Sequence, residues 1–140
     1  MYHSPKKHPI DHGNMPYVAN IETRALQNQN FRTAVWTGCH HQMTVMCIPP
    51  CDDIGLEVHE NVDQLIRVEQ GSAMVQIGMC EHHLDFQQKM CKGDAVFIPA
   101  GMWHNIINCE NCPLKLSVLY SPPNHPFGTV NYTKPDGEYI

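Results

Sequence analysis

Two short stretches, far apart in the chain, carry side chains able to hold a metal ion. The first is "GLEVHENVDQ", Gly55 to Gln64. On a β-strand, residues two apart point to one face, so Glu57 and His59 would aim a carboxylate and an imidazole at a single point. Two readings are open at this stage: half of a metal site, or a half-exposed strand edge. The second stretch is "GDAVFIPAGMWHNIIN", Gly93 to Asn108. Here Pro99 fixes the entry of a turn and Gly101 supplies a backbone conformation closed to other residues. Such a turn would send His104 back into the fold. Taken alone, a histidine after a turn is equally well a satisfied core residue.

The spacing of the second stretch is G-x5-P-x-G-x2-H-x3-N, filled by Gly93, Pro99, Gly101, His104 and Asn108. It resembles the second motif of the cupin superfamily. The first cupin motif, G-x5-H-x-H-x3,4-E-x6-G, is similar to "EVHENVDQLIRVEQG". His59 stands at its second histidine and Gly71 at its closing glycine. Glu57 stands where the family has its first histidine, and Gln64 where it has glutamate.

The resemblance implies a small all-β double-stranded β-helix, a jelly-roll barrel of the single-domain cupin kind, with a metal bound inside. Carried over position by position, the ligands would be Glu57, His59, Gln64 and His104. Two imidazoles and one carboxylate resemble the triad that suits Fe(II), and Mn, Ni or Zn are also compatible with the set. An amide oxygen is a poorer ligand than a carboxylate, so Gln64 would bind weakly or orient a water. Asp63 is an alternative carboxylate that strand parity disfavours. The function implied is a metal-dependent enzyme acting on a small molecule. Isomerase or lyase chemistry on a sugar or ketoacid (as in mannose-6-phosphate-isomerase-like proteins) and dioxygenase chemistry both fit, with Glu57 as a possible base. The alternative is a non-catalytic cupin that binds or senses a small molecule. A homodimer is the expected assembly.

The elements that must position these residues read as short strands separated by turn signals. "FRTAVWTG", "HQMTVMCI" and "LEVH" are three, and "DQLIRVEQGSAMVQIG" is a hairpin turning near Gln70 and Gly71. "HLDFQQKMCKG", "DAVFIPAGMWHNIINC" and "PLKLSVLYSPP" complete the set. Residues Ile21 to Asn30 have room for one or two helical turns. Evenly spaced strands with so little helix point to a sandwich or barrel. If Gln64 faces inward, Ile66 and Val68 lie on the same face while Arg67 and Glu69 face out. Met102 and Ile106 share the face of His104, so Met102, Ile66 and Ile106 are candidates to line a substrate pocket. The expected division is an arm over residues 1–16, a barrel over 17–121 and a tail over 122–140 that packs on or near it.

Composition agrees with this reading. A 140-residue chain can bury one core unaided, and 42% hydrophobic content argues against disorder. The net charge of −5, with no Lys or Arg stripe, excludes the usual footprints of nucleic-acid and anionic-membrane binding. The opening residues carry no apolar segment of the secretory kind, so the cytosol is the expected compartment. Seven cysteines then read as reduced thiols. "CENC", with Cys80 and Cys91, would make a zinc site only if the fold gathered all four. The pairs His40-His41 and His82-His83 read as surface histidines; His125 could close over the barrel mouth, although a tail histidine is more often exposed.

Overall fold

A computed structural model describes residues 10–135. The elements run in the order α1 (Ile21–Gln27), β1 (Arg32–Thr37), β2 (Gln42–Ile48), β3 (Asp63–Gln70), β4 (Ser72–Gly78), β5 (Phe86–Cys91), β6 (Ala95–Ile98), β7 (Trp103–Asn108), β8 (Leu114–Ser121) and β9 (Val130–Asn131). They form two antiparallel sheets, a six-stranded one ordered β6-β3-β8-β2-β1-β9 and a three-stranded one ordered β5-β4-β7. This is the expected all-β jelly-roll barrel.

Alternation along each strand decides which face is buried. On β8, Leu114, Leu116, Val118 and Tyr120 point inward and are at most 1% exposed. They lie beside Ile66 and Val68 of neighbouring β3 and share one core cluster with Val75 and Ile77 of β4 and Ile106 of β7 in the other sheet. Complete burial of such side chains is worth about 1.5 to 3 kcal/mol each, so this layer dominates the stability of the barrel.

The outer face of the large sheet is also covered. Helix α1 starts at Asn20, whose side chain accepts from Thr23 N at 2.9 Å. It seats Ala25 against Val35 and Val45 in a second, smaller cluster. Beneath the helix layer lies Glu69, which alternation alone sends to solvent but which is only 1% exposed. It pairs with Arg67 at 2.9 Å and accepts from Ser117 Oγ at 3.0 Å. The register of β3 on β8 shifts between Val68 and Gln70, so Glu69 sits at a bulge, and the expectation that it is solvent-facing is corrected.

The arm and tail are tied down where they are described. Asp11 is buried and accepts from Thr37 Oγ1 at 2.6 Å and Gly128 N at 2.9 Å. The tail returns as β9, pairing Val130 and Asn131 with Thr33 and Arg32. No helix among the described residues is long and apolar enough to cross a membrane.

Candidate metal centre

The segment "LEVH" is not a regular strand. It lies along β7 as an irregular edge, with isolated bridges Asp53↔Ile107 and Glu57↔His104. Four residue steps on one side face three on the other, and Gly55 at φ 92 absorbs the extra residue as a bulge does. The sequence pattern therefore marked the pairing but not its break. At the bridge, Glu57 N donates to His104 O at 3.0 Å and His104 N to Glu57 O at 2.9 Å. Residues paired in this way project side by side. The turn then closes through Gly101, whose N–H donates to His59 O at 2.8 Å. Its φ of 82 is open to glycine and strained for other residues, as its place in the turn requires.

These contacts bring Glu57, His59 and His104 together, with one ligand atom from each lying within 4.8 Å of the others. Glu57 Oε1 is 3.3 Å from His59 Nε2 and 3.3 Å from His104 Nε2. Only the His104 contact has hydrogen-bond geometry, and His59 Nε2 is buried without a hydrogen-bond partner. The fourth position, Gln64, is on β3 beside Tyr120 of β8 and is 4% exposed. Its Oε1 is likewise buried with no partner. Asp63 is held outside, exposed, accepting from Ala100 N at 2.9 Å.

Electrostatics define the state of the cluster. Burial pushes the Glu57 carboxyl up, but when His104 and His59 carry their Nε2 protons, their contacts and charges outweigh it and hold the group down to about 2. His104 Nδ1 lies 3.1 Å from Met102 O. A carbonyl can only accept, so Nδ1 carries the proton in the neutral ring and Nε2 presents a lone pair to the Glu57 carboxylate. Ligating histidines commonly orient themselves through such a bond from the other ring nitrogen. In that neutral state two acceptors lie 3.3 Å apart with the unpartnered His59 Nε2 beside them, an arrangement that a cation would satisfy. A proton would relieve one contact. A divalent ion would satisfy the whole set, so the residues present fit a metal.

A cavity of about 360 Å³ opens onto Glu57 and His59. Its walls include Phe31, Arg32, Leu56 and His125. The expected pocket residues lie elsewhere: Ile66 and Ile106 are 1% and 0% exposed inside the core, and Met102 packs against it. Ile66 and Ile106 point inward as expected, but none of the three is among the residues lining the cavity. His125, open to either reading from the sequence, is half-buried at the cavity. Its Nε2 is 3.3 Å from Tyr120 Oη, and the ring packs edge-on to Tyr120 at 5.1 Å. Buried Gln42 holds it there by accepting from Asn124 N and His125 N and donating to His125 O. Neither Arg32 nor His125 has a local signal in the sequence, since both reach the site through pairing distant in the chain.

The other candidates do not assemble. All seven cysteines are free, and among the described residues no thiol joins a metal-competent group of three. His40, His41, His82 and His83 are exposed. The motif's Asn108 is structural: its Nδ2 lies 3.1 Å from Ile48 O, 3.1 Å from Pro49 O and 2.8 Å from Cys112 O.

Comparison with known proteins agrees with this geometry. The family model described as Cupin domain (Cupin_2) matches residues 44–120. An uncharacterized protein of Bacillus subtilis (strain 168), YrkC, is 52% identical over 90% of this chain and 68% of its own length. An uncharacterized protein of Acanthamoeba polyphaga mimivirus, L612, is 37% identical over 90% of this chain and 78% of its own. The crystal structure of BH2720 from Bacillus halodurans superposes with a TM-score of 0.88 at 50% identity, covering 89% of this chain and 95% of that one. With its barrel, its two motifs and their convergence on one mouth in place, the chain belongs to the Cupin_2 family of cupin domains.

Proposed function

We propose that this protein is a metal-dependent enzyme acting on a small polar molecule held in the cavity beside Glu57 and His59. The observation that carries the reading is the convergence of Glu57, His59 and His104, whose ligand atoms lie within 4.8 Å of one another, with His59 Nε2 buried and without a hydrogen-bond partner. The ion would be one divalent transition metal per chain, Fe, Mn, Ni or Zn. When bound, it would supply Lewis-acid polarisation of a substrate oxygen or a centre for dioxygen, which are the isomerase/lyase and dioxygenase branches respectively. The chain's own contributions are simpler. The Met102 carbonyl fixes the His104 ring, and the core residues behind the cluster exclude water from one side. Glu57, held down to about 2, is a weak base, which favours ligation over proton abstraction.

Oxygen consumption with candidate substrates, measured on protein purified anaerobically and loaded with Fe(II), separates the branches. Uptake coupled to substrate loss selects dioxygenase, and substrate conversion without uptake selects isomerase or lyase. Saturable binding without turnover across the panel would replace both with a binding or sensing role. A cytosolic location and a homodimer complete the proposal. Leu65 and Leu119, half-exposed, and Phe97, 73% exposed, form an apolar strip on β6, β3 and β8 that supports the dimer. Light scattering on the purified chain checks it.

A further inference from the structure

Arg32 opens β1, and its guanidinium lines the same cavity as Glu57 and His59. The residue is 4% exposed. Its hydrogen bond to a side chain among the described residues is Nη1 to Asn131 Oδ1, at 2.9 Å, and its Nε is buried with no partner. No described carboxylate forms an ion pair with it. The guanidinium carbon sits 5.2 Å from the centre of the Phe31 ring, within cation–π range. An arginine this deeply buried ordinarily has a carboxylate beside it, because a desolvated charge without a counter-charge costs several kcal/mol.

The other charges of the cavity are already committed. Lys134 pairs with Asp53 and with Asp52. Glu57 is held between His59 and His104. His125 brings no compensating charge: burial first, and then the Arg32 cation, lower it to about 4, so the ring is neutral at physiological pH. Any divalent ion bound by Glu57 and the histidines would leave the mouth more positive still. Arg32 is therefore left without an ion-pair partner of its own among the described residues, at a place where a planar fork of donors faces the cavity.

We propose that Arg32 binds a carboxylate of the molecule that enters the cavity, so that the ligand class is a small organic acid. The inference rests on the cavity being the ligand site of the proposed function, but not on a metal being there. A carboxylate presents two coplanar oxygens that match two guanidinium N–H groups, which a lysine in the same place would not reproduce. A cavity of about 360 Å³ admits a small organic acid with room left for water. The opposite end of such an acid, carrying a hydroxyl, keto or second carboxylate oxygen, would face Glu57 and His59.

The test is calorimetric titration of glycolate, pyruvate and malonate, each against its neutral amide. It is run on EDTA-treated and on Mn(II)-loaded protein, for wild type, Arg32→Lys and Arg32→Met. At least one acid is expected to saturate wild type and to raise its Tm, with its amide inert. Arg32→Met should weaken that acid by at least about tenfold, with Arg32→Lys in between. Loss of the Asn131 hydrogen bond alone would lower Tm without changing the preference for acid over amide. If Arg32→Met fails to fold, Arg32→Lys decides through that same preference. Acid binding that depends on Arg32 in EDTA-treated protein, with no Mn(II) retained, would uphold the anchor while the metal reading fails. Amides binding as well as acids, variants binding as wild type does, or no acid binding either form up to about 10 mM would overturn it.

Discussion

Glu57 and Gln64 are the two ligand positions at which this chain departs from the cupin pattern, and Glu57 lies in the cluster the barrel assembles. Exchanging a neutral amide for a carboxylate adds one negative charge to the site. Gln64→Glu is therefore expected to tighten Mn(II) binding by about tenfold, measured by competition with a fluorescent chelator. Gln64→Leu should leave the barrel folded and weaken retention. His125 gives a separate prediction in the metal-free protein. Its ordinary value of 6.5 falls to about 4 in the fold, so between these values the unfolded chain binds the proton more readily. Its share of stability is complete above about pH 6.5 and is lost as pH falls through about 4. His125→Gln should flatten the decline of Tm over that window relative to wild type. Both histidines of the cluster and both substitutions were legible in the motifs. Arg32 was not, because it reads as an ordinary strand arginine, and His125 was open to both readings, exposed in the tail or closed over the barrel mouth. Only the pairing of β1 with β9, and the clamp by Gln42, bring them to the cavity.

Among the elements, the strands were legible wherever no bulge interrupts them, as in β2, β4 and β8. Alternation misled where a bulge intervenes: "LEVH" is an edge segment interrupted at Gly55, and Glu69 is covered at a register shift. The position where the family's first motif opens with glycine is occupied by Cys51, which has φ 61. A side chain in that conformation costs roughly 1 to 2 kcal/mol, partly offset by the greater entropy glycine loses on folding. Cys51→Gly should thus raise Tm by a few degrees without altering metal content. Asn108 has the opposite role, because its amide gathers carbonyls from two loops at the far end of β7. Asn108→Ala should cost about 2 to 3 kcal/mol in chemical denaturation, since those buried carbonyls lose their donor.

For the whole molecule, the site exists because two sheets meet. The edge along β7 carries Glu57, His59 and His104; β3 carries Gln64; β1 and the tail supply the facing wall. The apolar core beneath is complete without the cluster, so substitutions there should leave the barrel's circular dichroism unchanged. A bound ion should raise Tm in proportion to the logarithm of its free concentration, and EDTA should reverse the rise. The most direct test of the central claim is elemental analysis of wild type and His59→Ala, both purified without oxygen or added chelator. Close to one transition metal per chain in wild type, with near-complete loss in a folded His59→Ala, is the predicted result. Wild type that takes up no transition metal even when one is supplied, or equal metal in both proteins, would contradict the account.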